Sequence, residues 1–297
     1  MKPTLKAHLA VLITNLIFGI NYSIIKIVSP SKILPLGLNM ARTIVACVLF
    51  WCIYLIKPSA GRIGIDKKDV KRFILCAASG VVINQIFFVK GLSMTSPIHA
   101  SLLSLIAPIA IVLIAAKISN ERLSLRVILG LMMGIAGAVI LIMSKNNSDN
   151  KSNMLLGDLY VLINAVFYAF FMIWVKDLMH KYKPVHVIRW VFTFGLFMML
   201  PFGFSDMMNT QWSLFNTTDW MAVGMVCIGA TFISYLFNVY GISVIGSAAT
   251  GTYIYTQPFF AAVIAILFMG ETLTIYKVAA AILILFGVYM VNKKRVL

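Results

Sequence analysis

The chain is poor in charged residues, and acidic residues are especially few. Asp, Glu, Lys and Arg make up 11% of the 297 residues, whereas soluble domains contain about 25%. Hydrophobic residues reach 61% and the mean hydropathy is +0.95. This balance excludes an ordinary soluble domain and predicts a protein embedded in a membrane.

Cysteine and histidine are also scarce, with four residues of each. No CxxC spacing occurs and the cysteines fall in apolar segments, so we interpret them as buried thiols that form neither metal sites nor disulfides. The histidines lie scattered at the ends of apolar segments, and no HExxH or GxSxG motif is present. We expect no cofactor, and an intramembrane transferase enzyme remains a remote alternative.

Ten apolar stretches are long enough to cross a bilayer, which needs about 20 residues for each helix. The sequence therefore predicts an all-α membrane protein with ten transmembrane helices. We divide it into a first half (1–144), a polar linker (145–156) and a second half (157–297). The predicted spans 1 to 10 lie near 8–28, 35–56, 71–90, 97–117, 125–144, 157–176, 186–204, 219–240, 247–269 and 275–292.

The two halves repeat each other at a spacing of 150 residues. Because each half contains an odd number of spans, the second copy must enter the membrane upside down. The fold is predicted to be two inverted five-helix repeats, the architecture on which many secondary transporters alternate access. Four residues recur at intervals of 17, 13 and 16 in both copies: Gly91, Pro108, Glu121 and Gly137, then Gly241, Pro258, Glu271 and Gly287.

The net charge of +16 comes from basic residues between the apolar segments. Eighteen of the 25 Lys and Arg fall on the side that holds both termini, and seven fall elsewhere. Because basic loops stay in the cytoplasm, we predict an inner-membrane protein with both termini cytoplasmic and no nucleic-acid partner. The loop after span 2 carries six basic residues and its counterpart after span 7 none, as inversion predicts.

The residues around these repeated positions resemble an EamA repeat of the drug/metabolite transporter superfamily. The shared pattern is a Gly before span 4, a mid-helix Pro, a Glu in the turn before span 5 and a Gly-rich span. The opening FGINYSIIK, with Gly19, Tyr22 and Lys26, resembles the family's first span, and Arg42 matches its basic position in span 2. The second repeat departs from the pattern, with Ala169 at the equivalent of Gly19. The resemblance implies a ten-helix transporter of small metabolites.

Polar side chains within the spans are the candidate binding residues, because such groups are costly in lipid and usually face a cavity or a partner helix. Along span 1, Asn15, Tyr22 and Lys26 share one helix face. Interhelical hydrogen bonding, and snorkelling of the basic residues, are the alternatives. A guanidinium placed like that of Arg42 suits a carboxylate or phosphate. The predicted substrate-binding residues are Asn15, Tyr22, Lys26, Arg42, Asn84, Gln85, Asn164, Tyr168, Tyr235, Asn238 and Gln257.

Four repeated residues are predicted to act in hinges or gating. Pro108 and Pro258 lie inside spans, where each is expected to free a backbone carbonyl and kink its helix. Glu121 and Glu271 lie in turns, where a carboxylate favours the start of the following helix. Although we expect no cofactor, such freed carbonyls could coordinate a cation that is coupled to transport.

The acidic residues bear on energy coupling. All nine, including Asp158, are predicted in loops or at helix ends, and proton pumps commonly use a carboxylate inside a span. This favours facilitated transport, with proton or cation coupling as the alternative. His99 is interpreted as a residue of the membrane interface.

The predicted function is a transporter that moves small organic metabolites, amino acids or other carboxylates, outward by alternating access. Nothing in the sequence suggests a ring of charge or a carbonyl filter, so a channel is disfavoured. The expected partners are a small-molecule substrate and the lipid bilayer. A homodimer is left open.

Overall fold

The computed structural model describes residues 2–56, 64–118, 124–143 and 151–292. Within these residues the chain is helical, with no strand. Nine of the described helices are long and apolar enough to cross a membrane, and Ile275–Met290 adds a shorter apolar helix. The prediction of an all-α protein with ten membrane helices is confirmed.

The ten helices are numbered α1 to α10 and correspond to spans 1 to 10. Five of them, α1, α3, α6, α7 and α8, extend beyond the predicted spans by five residues or more. The largest extension is that of α6, which begins at Lys151 because polar residues without a hydropathy signal start the helix. The bounds are α1 Pro3–Val28, α2 Pro35–Ile56, α3 Lys67–Met94, α4 Pro97–Leu103 with Ile106–Ile118, α5 Leu125–Met143, α6 Lys151–Met179, α7 Pro184–Met208, α8 Thr217–Gly246, α9 Ala249–Met269 and α10 Ile275–Asn292.

Equivalent helices of the two halves have equivalent neighbours. Helix α1 packs against α8 and α9, and its counterpart α6 packs against α3 and α4. Helix α2 packs against its own counterpart α7, and α5 against α10. This exchange of partners is what two copies related by a pseudo-two-fold axis produce, and it fits the duplicated sequence.

The repeated glycines lie where helices of the two halves cross. A side chain added to Gly91 of α3 would meet the carbonyl oxygen of Gly157 in α6 at 2.8 Å. Gly137 of α5 would meet the carbonyl oxygen of Ala280 in α10 at 2.9 Å, and its repeat partner Gly287 faces the backbone of α5. Small residues let backbones approach closely in lipid, so these positions are explained by packing between the halves.

Gly157→Ala is expected to destabilise the protein although alanine favours a helix. The new methyl group would lie 2.8 Å from Met94 Cβ and 2.9 Å from the Gly91 oxygen, and such overpacking costs about 1–3 kcal/mol. Gly224→Ala is the matched control, because nothing lies within 4 Å of its added carbon. Thermal unfolding in detergent should show a lower midpoint for the first variant and an equal or higher one for the second. Equal midpoints would contradict the crossing.

The prolines follow breaks in their helices. Helix α4 is interrupted before Pro108, and α9 tightens into a 3₁₀ turn over Tyr253–Thr256 before Pro258. The carbonyl four residues before each proline belongs to Ser104 or Ile254, and each accepts the N–H of the residue immediately before the proline. The expectation that these carbonyls are left without a donor is therefore wrong, because the tighter turn supplies one.

Ion pairs at matching positions join the halves at opposite ends. Asp219 at the start of α8 pairs with Lys32 after α1, at 3.3 Å. Asp69, 150 residues before Asp219, lies at the start of α3 and pairs with Lys181 after α6, at 2.5 Å. The carboxylates of Asp66 and Asp69 raise the pKa of Lys181 above its usual range. Each end of the molecule thus carries a polar contact between repeats.

Candidate functional site

A cavity lies at the centre of the molecule, between helices of both halves. Its volume is about 80 Å³, which is below the ~300–1,000 Å³ of drug-sized ligand sites. Helices α1, α3, α4, α6, α8 and α9 line it, and α2 contributes one residue. Eight of the eleven predicted binding residues lie on its wall: Tyr22, Arg42, Asn84, Gln85, Asn164, Tyr168, Tyr235 and Gln257.

The other three predicted residues lie outside the wall. Asn15 accepts a hydrogen bond from Gln257 Nε2 at 2.7 Å, and Asn238 donates one to the Tyr168 hydroxyl at 2.9 Å. These two amides therefore support residues of the wall. Lys26 reaches the Ser93 carbonyl at the end of α3, at 3.5 Å. The structure thus separates Lys26 from the other residues of its helix face.

Pairs of residues related by the 150-residue offset line the cavity, one member from each half. Because both members of each pair reach the same space, the cavity lies on the pseudo-two-fold axis between the halves. The pairs are Phe18 with Tyr168, Gln85 with Tyr235, Ser104 with Ile254, and Ala107 with Gln257.

Two asparagines join α3 and α6 across the cavity wall. The amide nitrogen of Asn84 donates to the Asn164 carbonyl at 3.1 Å, and that of Asn164 donates to the Asn84 carbonyl at 2.9 Å. At the equivalent crossing of α1 and α8, the Thr14 hydroxyl donates to the Ser234 carbonyl at 3.4 Å. Both of these equivalent crossings therefore carry a polar contact, and the hydrogen bonds between α3 and α6 are the shorter ones.

Tyr22 ties α1 to the interrupted helices. Its hydroxyl lies 2.8 Å from Ser104 Oγ in α4 and 3.2 Å from Gln257 Oε1 in α9. Its ring packs edge-on against Phe88, with centroids 5.4 Å apart. Gln257 is held at its other end by Asn15. The Tyr22 hydroxyl therefore connects α1 to one residue at each of the two helix breaks.

Gln85 is held by a chain of hydrogen bonds. Its Nε2 atom donates to Asn84 Oδ1 at 2.9 Å and to the Tyr235 hydroxyl at 2.7 Å. That hydroxyl donates to the Gly80 carbonyl at 2.8 Å, within the wide π-helical turn Ala78–Ile83 of α3. The Oε1 atom of Gln85 has no hydrogen-bond partner among the described residues. An acceptor is thus left at the cavity wall.

Arg42 is the one formally charged side chain among the described residues of the wall. It is 2% exposed, and its Nε donates to the Thr231 hydroxyl at 2.7 Å. Its Nη1 donates no hydrogen bond to any described residue, and Asn21 Oδ1 likewise has no donor. A buried cation whose hydrogen-bond partner is neutral is costly, so the site is suited to an anionic group of a ligand.

Glu271, one of the two predicted gating glutamates, does not line the cavity. Glu271 lies in the turn before α10 and pairs with Lys277 at 3.3 Å. Its repeat partner Glu121 lies outside the described residues. A gating role for either glutamate stays a prediction, as do the hinge roles of the prolines.

One acidic residue is not where the sequence predicted it. Asp158 was expected at a helix end, but α6 begins at Lys151, and Asp158 is 0% exposed inside that helix. The prediction that all nine acids lie in loops or at helix ends is wrong for this residue. The polar start of α6 concealed the true beginning of the helix.

Sequence reasoning missed several residues of the wall. Phe18 and Ala107 could have been found by applying the 150-residue offset to Tyr168 and Gln257. Ser104 could not be found from its repeat equivalent, because that residue, Ile254, is apolar and was not a candidate. Asn21 gives no periodic signal, because it lies next to Tyr22 and off the predicted helix face.

Comparisons with known proteins agree with this geometry. A protein from Archaeoglobus fulgidus named an uncharacterized transporter is 24% identical over 99% of this chain and 100% of its own length. A protein from Streptantibioticus cattleyicolor, named a probable terminal-alkyne amino-acid exporter, is 25% identical over 87% of this chain and 84% of its own. A solved crystal structure with 18% identity matches with a TM-score of 0.65 over 98% of this chain and 95% of that one, which supports the fold.

The family model that matches covers nearly all of both halves. The model of the EamA-like transporter family matches residues 5–143 and again residues 155–293. Together with the apolar helices, this makes the chain a multi-pass membrane transporter, with a small-molecule substrate and the bilayer as its surroundings. The chain belongs to the EamA-like transporter family.

Proposed function

We propose that this transporter carries small zwitterionic or anionic metabolites, amino acids or related carboxylates, and that it exports them from the cell. The observation that supports this most is Arg42, a buried guanidinium at the cavity wall with an Nη1 donor that lacks a partner. A substrate carboxylate would complete its hydrogen bonds. Charge-assisted bonds of this kind contribute about 1.5–3 kcal/mol.

The same cavity offers acceptors for a positive group. Asn21 Oδ1 and Gln85 Oε1 are buried and receive no donor from the described residues. The ammonium of an amino acid would supply that donor, while its carboxylate binds Arg42. A neutral sugar or a simple amine would leave the guanidinium unpaired, and a site with an unpaired buried polar group discriminates strongly.

The proposed direction, and amino acids as the favoured substrates, are supported by a relative. The Streptantibioticus cattleyicolor protein, named a probable terminal-alkyne amino-acid exporter, aligns over 87% of this chain. Its name describes that protein. Because the two chains are 25% identical, we carry over only the class of substrate and not a particular amino-acid side chain. The shared requirement would be a carboxylate.

The test is counterflow in proteoliposomes loaded with single compounds. Matched compounds would include amino acids, the corresponding amino amides without a carboxylate, and the corresponding oxo acids without an ammonium. Purines and sugars complete the panel. We expect saturable counterflow for at least one amino acid or oxo acid, and none for the amides. Counterflow of amides or sugars at the rate of the amino acids would contradict the proposal.

With both termini in the cytoplasm, the loop between α7 and α8 should lie outside the cell and the segment before α3 should lie inside. In a Cys52→Ser background, Asn209→Cys between α7 and α8 should react with an impermeant thiol reagent added to intact cells. Gly64→Cys, before α3, should react only after the cells are opened. Both positions are exposed, so accessibility differs only by side. The reverse labelling pattern would place the termini outside.

A further inference from the structure

Asp158 and His99 form a buried pair that the transport site does not use. Asp158 is 0% exposed and His99 is 2% exposed. The Thr95 hydroxyl donates to Asp158 Oδ1 at 2.5 Å, while Asp158 Oδ2 lies 3.5 Å from His99 Nδ1. Neither of these last two atoms has a hydrogen-bond partner among the described residues. A carboxylate and an imidazole thus face each other, and neither of the facing atoms is hydrogen-bonded to another described residue.

The pair joins the two halves of the protein at one end. His99 lies in the first turn of α4 and Asp158 in α6, and Thr95 lies between α3 and α4. The repeat equivalent of Asp158 is His8, which contacts the Tyr253 hydroxyl at 2.8 Å near the other end. The carboxylate is therefore a feature of one end only. Asp158, His99 and the neighbouring Thr95 all lie outside the lining of the central cavity.

Three of the charged groups near that end, Lys26, Glu271 and Lys277, have other partners. On the elements packed against the pair, Lys26 of α1 donates to the Ser93 carbonyl, and Glu271 after α9 pairs with Lys277 of α10. Lys90 of α3 is half-buried. Among the described residues, none of these groups forms a hydrogen bond or an ion pair with Asp158. Since burying an uncompensated carboxylate is costly, its charge must be balanced by His99 or by a proton.

We propose that Asp158 and His99 together bind a proton, and that this proton is linked to the opening of their end of the transporter. With one proton on the pair, an imidazolium and a carboxylate attract each other and hold α4 against α6. Taking up a second proton from water neutralises the carboxylate, and losing the first neutralises the imidazole. Either change removes the attraction between opposite full charges and leaves at most a weaker hydrogen bond, and no covalent bond other than that to the proton forms or breaks.

Linkage follows because alternating access moves one repeat against the other. If the pair separates when that end opens, its affinity for protons differs between the two states, and pH must shift their equilibrium. This step rests on the proposed function as a carrier. Proton binding by the pair does not, so the two claims can fail separately.

Infrared difference spectra test proton binding without any substrate. The full chain in lipid would be titrated between about pH 8 and about pH 4, a range that spans the ordinary values of His and Asp. We expect a protonated-carboxyl C=O band that Asp158→Asn removes and His99→Gln shifts to a different pH. Asp177→Asn is the control, because Asp177 is on the same helix but 50% exposed. A spectrum unchanged by Asp158→Asn would overturn the proposal.

Counterflow of an accepted amino acid over the same pH range tests the linkage. We expect the wild-type rate to vary about fivefold or more, the lower end of typical coupling. Asp158→Asn should flatten that profile while Asp177→Asn keeps it. If Asp158→Asn fails to fold, His99→Gln must shift the wild-type profile. If the infrared band changes with pH but the pH profile of counterflow is the same in the wild type and the variants, the linkage is overturned. Absence of counterflow for every compound would overturn the proposed function instead.

Discussion

Arg42→Gln is expected to lower counterflow of the accepted amino acid by about tenfold or more, because a charged hydrogen bond to the carboxylate is lost. Arg42→Lys keeps the charge but not the planar fork, so it should retain part of the activity. Initial counterflow rates at several substrate concentrations would measure both variants. Thermal unfolding should show that the variants remain folded.

The matched control for this change is Arg72→Gln. Arg72 is 47% exposed and pairs with Asp177 at 3.3 Å, so its loss should leave counterflow near the wild-type rate. If Arg42→Gln transports as well as Arg72→Gln, then Arg42 only anchors α2 to Thr231, and the proposed carboxylate site does not exist.

Tyr22→Phe is expected to reduce the transport rate about tenfold while the protein stays folded. The change keeps the ring against Phe88 but removes the hydroxyl that reaches Ser104 and Gln257. Buried acceptors left without a donor cost about 1–3 kcal/mol, enough for this effect. Tyr276→Phe is the control, because Tyr276 is 59% exposed at the start of α10.

The rate and the apparent affinity of Tyr22→Phe should be read separately. A lower maximal rate with unchanged affinity would indicate that the hydroxyl links movement of α1 to the breaks in α4 and α9. A lower affinity would place the hydroxyl in substrate binding. Wild-type values for both would make this face of α1 a packing surface.

Most of the fold could be predicted because membrane helices have strong local signals. Hydropathy located all ten helices, and the 150-residue repeat paired Gly91 with Gly241 and Gly137 with Gly287. It could not show that these glycines mark crossings between the halves, because a crossing depends on which helices become neighbours. The early start of α6 was missed for a related reason, since Lys151–Leu156 is helical without being uniformly apolar.

The candidate site was predictable in membership but not in arrangement. Polar residues within spans pointed to Tyr22, Arg42 and Gln257, and the structure brings them around one cavity. Helical spacing also assigned Lys26 to that face, but a helix 26 residues long extends well beyond the cavity. Which atoms lack partners, such as Arg42 Nη1, depends on neighbours from other helices and leaves no trace in the sequence.

The pair of Asp158 and His99 shows the same limit more sharply. The two residues are 59 positions apart in the sequence, and each was placed near a span end from hydropathy alone. Only the packing of α4 against α6 brings their side chains together. Energy coupling therefore could not be judged from the positions of acidic residues along the chain.

The most direct test of the central cavity as the substrate path is chemical modification of Ala165→Cys in a Cys52→Ser background. Ala165 lines the cavity beside Asn164. Val48→Cys is the control, because Val48 is 54% exposed on the outer surface of α2. A small cationic methanethiosulfonate reagent should block counterflow in the first variant only, and the accepted amino acid should slow that inactivation. Full transport after complete modification of Ala165→Cys, or no protection by substrate, would contradict the account.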